Sequence, residues 1–253
     1  MKNKVSIFLI FFITTIQSSF GQELKEEYQV EIESFIKLIK NDDKERIAEL
    51  VKYPLKRDNP IPSIRNKEEF MLRYHEIFDD SLKSLIIHSN TSTDWSEVGW
   101  RGIMLYNGTM WIDYDGKILA VNYQSIEEKT IKKNLIAANK NTLHSSLINF
   151  KNPVCILETQ KFRIRIDELS NGKYRYASWP ISKSMSESPD IILTNGEVIM
   201  EGSGGNHTFK FKNGMYVYEC SINKIREKDA SPANLIVYKN NIIILSQVAV
   251  ILQ

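Results

Sequence analysis

Two cysteines and four histidines in 253 residues leave little material for a metal centre or for a nucleophile with its base. The histidines, at positions 75, 88, 144 and 207, are scattered, and neither Cys155 nor Cys220 has a histidine at ligand spacing, so a zinc site is not expected. No HExxH, GxSxG, phosphate-loop, CxxC or dinucleotide-binding pattern occurs, which removes the enzyme classes those motifs mark. A surplus charge is missing as well. Lys and Arg number 33 against 31 Asp and Glu, so nothing in the charge balance draws the chain to nucleic acid or to an anionic membrane. No cofactor is implied.

Long apolar runs are absent except at the start. Lys2 and Lys4 precede an apolar stretch from Val5 to Ile13, and small or polar residues follow up to Gly21. This is the order of an export signal, and the stretch is shorter than the roughly 20 residues a spanning helix needs. The mature chain is expected to begin at Gln22, in the periplasm or outside the cell, without a membrane span. Removing residues 1–21 takes away two lysines and no acid, leaving the rest neutral. An even pair of cysteines in an exported chain suggests a Cys155–Cys220 disulfide; two buried free thiols are the alternative.

What is present divides the chain. Ile32, Phe35, Ile36 and Ile39 recur at helical spacing, and "DDKERIAELV" opens a second helix with acids in its first turn. A third starts at Asn66, with Glu69 as a capping-box partner, and turns Phe70, Met71, Tyr74, Ile77 and Phe78 inward. The intervening "LKRDNPIPSIR" reads as an extended loop. From Val98 the period becomes two, with turns at Asn107-Gly108 and Asp115-Gly116. Ile126 to Phe150 reads as a sparse, charged linker helix. Beyond Pro153 the chain is a succession of short strands, the pattern of an antiparallel barrel or sandwich. The expected class is therefore α+β: a signal over 1–21, helices and a curved sheet over 22–125, a linker helix over 126–150 and an all-β unit over 151–253.

The segments "IAELVKYPLKR", "IRNKEEFMLRYHEIFDD" and "RGIMLYNGTMWIDYDGKILAVNY" resemble small exported bacterial proteins with the nuclear-transport-factor-2-like fold. The later "FRIRIDEL", "KYRYASW" and "GSGGNHTFKFKNGMYVYE" resemble the second, all-β unit of exported bacterial proteins of unknown function. The first resemblance implies a cone of helices and bent sheet with a pocket at its open end. Asp113, Tyr114, Tyr74, His75 and Glu76 are the polar groups that could approach that pocket, with Asp113 or His75 as general base. Each has an ordinary structural reading beside the catalytic one.

In the second half, "GSGGN" is followed by strand period and not by a helix, so its glycines turn a strand and do not cradle phosphate. A two-residue turn at Asn213-Gly214 sets Phe211 opposite Tyr216, Phe209 opposite Tyr218 and His207 opposite Cys220 on an inward face. Asn195-Gly196 marks another turn, between "DIIL" and "EVIM". A two-residue turn at Asn171-Gly172 pairs Ile164 and Ile166 with Trp179 and Ala177, and places Arg165, Asp167, Tyr174 and Tyr176 together on the other face. That quartet is either a recognition surface or an exposed cross-strand ion pair. One residue more or less in the turn reverses the faces. These readings converge on a non-enzymatic protein binding a small ligand or an envelope protein, with a cone-fold enzyme acting on a small apolar substrate as the rival.

Overall fold

The computed structural model describes residues 22–202, 205–224 and 229–252; the segment read as an export signal, 1–21, lies outside them. A helical region with a small sheet is followed by an eight-stranded antiparallel β-barrel.

The first part contains β1 (Gln22–Glu23), α1 (Glu26–Lys40), α2 (Lys44–Leu50), α3 (Lys67–Ile77) and α4 (Asp80–Ile87). The stripe read from α1 buries Ile32, Phe35 and Ile39. At α3, Asn66 Oδ1 accepts the Glu69 N–H at 2.9 Å, while the Glu69 carboxylate accepts the Arg65 N–H, one residue before the expected box partner. Helix α4 is not foreseen by the sequence reading; its two turns are held by Asp79, which accepts the Leu82 N–H at 2.8 Å, and by buried Leu82 and Ile86. Strands β2 (Trp95–Glu97), β3 (Ile103–Leu105), β4 (Met110–Ile112) and β5 (Ile118–Val121) complete an antiparallel sheet in the order β1-β2-β3-β4-β5. Phe70, Tyr74, Phe78 and Trp95 fill the space between sheet and helices. A cavity of about 130 Å³ lies beside that core, lined by Phe35, Leu38, Leu50 and Ile112.

Helix α5 (Ile126–Asn141) begins at Ser125, whose Oγ accepts the Glu128 N–H at 3.0 Å and donates to the Glu76 carbonyl oxygen at 2.6 Å. A short 3-10 turn at Ser145–Leu147 then leads to Phe150. The barrel strands are β6 (Asn152–Glu158), β7 (Phe162–Glu168), β8 (Tyr174–Pro180), β9 (Ile191–Glu201), β10 (Asn206–Asn213), β11 (Tyr216–Ile222), β12 (Ala233–Lys239) and β13 (Ile242–Ile251). They close in the order β10-β11-β12-β13-β6-β7-β8-β9. Leu157, Ile164, Ile166, Tyr176, Phe209, Phe211, Cys220 and Leu235 form the interior.

Three turns differ from their sequence reading. Between β7 and β8 the loop has three residues: Leu169 N–H donates to Lys173 O at 2.8 Å, and Gly172 takes the left-handed position with φ +75°. That type I turn with a glycine bulge sets Ile166 opposite Tyr176 and Arg165 opposite Ala177. The faces are thereby exchanged on β8, and the expected quartet is split: Tyr174 and Tyr176 turn inward while Arg165 and Asp167 turn outward.

Between β10 and β11 the loop is Gly214-Met215, so Phe211 faces Tyr218 and Phe209 faces Cys220. This register is displaced by two residues, an even number, and the inward face stays as read. Asn195-Gly196 does not separate two strands. It bends the single strand β9, which pairs with β8 as far as Gly196 and with β10 from Glu197 onward, as glycines do at barrel corners. A Cβ on Gly196 would lie 2.1 Å from Cε1 of the buried Phe211 ring. Gly196→Ala is expected to lower stability by about 1–3 kcal/mol through overpacking, measured as a shift in the urea midpoint. Phe211→Leu in the same chain is expected to restore part of the loss.

Candidate functional site

The polar groups expected to converge in the first part do not. His75 Nε2 lies 3.4 Å from Glu127 Oε1 in an exposed pair. Asp113 accepts the Tyr114 N–H at 2.9 Å and faces Lys52 Nζ at 3.8 Å. Tyr74 is buried against Phe78, donates to Asp42 Oδ1 at 3.2 Å, and its hydroxyl pKa is driven far up by burial. Glu76 accepts from Arg73 Nε at 2.7 Å, and Tyr114 donates to the Gly99 carbonyl oxygen at 2.7 Å. Each is committed to a different neighbour, so no acid–base pair is assembled.

Arg165 and Asp167 are not a free surface either. With Arg175 they form a buried cluster under the segment that joins α5 to β6. Asp167 Oδ2 accepts from Arg175 Nη2 at 2.6 Å, and Oδ1 forms an ion pair with Arg165 Nη2 at 2.6 Å without hydrogen-bond alignment. Arg175 also donates to Leu147 O at 2.6 Å and Asn149 O at 3.2 Å, and Arg165 to Asn139 Oδ1 at 2.7 Å. The Phe150 ring has Lys140 Nζ 4.8 Å, Arg165 Cζ 4.9 Å and Arg175 Cζ 6.0 Å from its centroid, so its quadrupole offsets part of the positive surplus. Leu143, Leu147, Ala177 and Trp179 pack beside it. What resembled a recognition face is covered by the chain's own connecting segment.

Cys155 and Cys220 are both free thiols buried in the barrel, not at disulfide distance, which corrects the disulfide expectation. Cys155 on β6 and Cys220 on β11 occupy strands separated by β12 and β13 in the barrel order. Burial pushes the Cys155 thiol up to about 12 and raises that of Cys220 well above its ordinary value. Both therefore stay protonated near neutrality and unreactive, since the thiolate is the nucleophile.

A pocket lies where the proline loop meets the barrel mouth. Leu55 and Ile64 close the base of that loop through reciprocal backbone hydrogen bonds of 2.8 and 2.9 Å. Asn59 Nδ2 reaches across to Pro153 O at 2.7 Å. Arg57 turns inside, pairing with buried Glu128 and donating to the Val121 and Tyr123 carbonyl oxygens. The space left, about 720 Å³, has Pro60, Ile61 and Pro62 on one side and Val154, Cys155, Phe209, Ile222 and Ile251 on the other. Its volume and mostly apolar wall suit a small ligand.

Polar groups also line this pocket. Lys56 and Lys224 are exposed, and among the described residues no carboxylate lines it. Among the described residues neither ammonium has an ion-pair partner. His207 Nδ1 lies 2.8 Å from Gly205 O; a carbonyl only accepts, so Nδ1 carries the hydrogen and Nε2 is left for another partner. A second hollow, near 690 Å³, lies between α3 and α5, but its Arg65–Glu69 and Arg73–Glu76 pairs already match one another. Of the pocket residues, the sequence reading singled out Cys155, His207 and Phe209, each as a residue of the all-β unit. The signal it passed over was the length of the connection between α2 and α3, sixteen residues from Val51 to Asn66 with three prolines, since loops that long are often functional.

No metal-binding group of His, Cys, Asp or Glu occurs among the described residues, and no helix there is long and apolar enough to cross a membrane. Compared with known proteins, the chain matches no family model, and no curated protein or solved structure is significantly similar to it.

Proposed function

We propose that the protein is a non-enzymatic binding protein that takes a small amphiphile, with an apolar body and an anionic end, into the pocket between the proline loop and the barrel mouth. One observation carries this reading: an apolar pocket whose charged lining residues are cationic, with Arg57 already neutralised by Glu128. The apolar wall supplies affinity by burial, and Lys56 and Lys224 supply the preference for an anion. The helices and antiparallel sheet of the first part are read as a nuclear-transport-factor-2-like unit with a filled interior, and α5 as the linker that seats it on the barrel. Export is part of the proposal and rests on the order of residues 1–21.

The test is calorimetric titration with dodecanoate, methyl dodecanoate and dodecyltrimethylammonium. Dodecanoate is expected to bind at least tenfold more tightly than the other two, about 1.4 kcal/mol. The preference is expected to vanish in Lys56→Glu/Lys224→Glu, and all binding in Ile222→Trp, which fills the pocket. Absence of saturable binding, or binding unaffected by Ile222→Trp, overturns the reading.

A further inference from the structure

The barrel closes through a short seam. On the side away from β12, strand β13 pairs with β6 only at Val250↔Glu158 and Ile251↔Leu157, and the Leu252 N–H donates to Ile156 O at 2.9 Å. Among the described residues, no strand pairs with Ile242–Ala249 on that side. Edges of this kind are ordinarily blunted with charge, proline or brevity. Here the segment from Ile242 to Leu252 reads IIILSQVAVIL and has none of these. The only irregularity is a bulge opposite Val237/Tyr238, at the far end of the strand.

The side chains are as open as the backbone edge. Val248 is 70% exposed and Ile242 69%, and Ile243, Ile244, Val250 and Leu252 are each more than half exposed. At about 100 Å² apiece these six present roughly 600 Å² of apolar side chain, to which paired backbone adds, against the roughly 800 Å² per partner of a standard specific interface. An isolated monomer rarely leaves so continuous an apolar strip in water.

We infer that this edge is a homodimer interface in which β13 of one copy pairs antiparallel with β13 of a second, centred near Ser246. A second copy suits the edge because two-fold pairing sets residues near the centre opposite themselves or their near neighbours, where any charge would meet its own kind. This strand has no charge to repel. The pairing joins two barrels into one continuous sheet.

Sedimentation of the purified protein over a wide concentration range tests the inference. The wild type is expected to run as a dimer, and Val248→Lys/Val250→Lys as a monomer with the same far-ultraviolet dichroism and urea midpoint, since both side chains are exposed. Oxidation of Ser246→Cys is expected to yield a covalent dimer, and oxidation of Lys212→Cys, on β10, is not. A wild type that stays monomeric throughout, a lysine variant that stays dimeric, or equal crosslinking of the two cysteine variants overturns it.

Discussion

Asp167→Ala is expected to cost about 3–5 kcal/mol of stability, the range for removing one member of a buried ionic group. Asp167 is fully buried, with Arg165 1% and Arg175 4% exposed, so its loss strands two guanidiniums away from water. The remaining partners, Asn139 Oδ1 and the Leu147 and Asn149 carbonyl oxygens, are neutral. With an m-value of about 2–3 kcal/mol/M, the urea midpoint should fall by roughly 1–2 M. Replacing all three residues together, as Arg165→Met/Asp167→Leu/Arg175→Met, is expected to be far milder, because no charge is left buried. A small effect for Asp167→Ala alone would mean that water reaches the cluster and that the connecting segment is not clamped to the barrel.

Arg57→Ala is expected to have a similar effect, about 3–5 kcal/mol. Glu128 has no exposed surface, and in the variant it faces no cation; the Val121 and Tyr123 carbonyl oxygens lose their donor at the same time. Because Arg57 lies in the loop that walls the pocket, the two consequences are joined. Dodecanoate affinity should fall with stability in Arg57→Ala, whereas Asp167→Ala, at the other seam of the connecting segment, should lower stability with little change in affinity at low denaturant. If Arg57→Ala leaves binding unchanged, the loop is held by Asn59 and by the Leu55–Ile64 closure alone.

Much of the architecture is legible in local pattern. The stripe of Ile32, Phe35 and Ile39 and the Asn66 cap are signals among near neighbours, and the structure follows both; the period of two read from Val98 is followed only from Ile103, because Gly99–Arg101 form a 3-10 turn and strand Trp95–Glu97 precedes Val98. Helix α4 is less legible because two turns give too short a window for periodicity to stand out. The barrel interior at Phe209, Phe211 and Cys220 survives a misplaced turn because an error of two residues preserves the face. The Arg165 face does not survive, because there the error is one.

By itself, the sequence determined most of the helices and strands, though not α4 or the unbroken β9, and that a helical region precedes an antiparallel β unit, because these depend on spacings within a few residues. Only the tertiary structure decided that Arg165 and Asp167 bind the chain's own connecting segment, that Cys155 and Cys220 stay apart, and that Lys56 and Lys224 share a pocket. Those outcomes join residues far apart along the chain, and on β8 the face itself turns on a loop length of a single residue. A change that small reverses every side chain on a strand and leaves the periodicity of the sequence untouched.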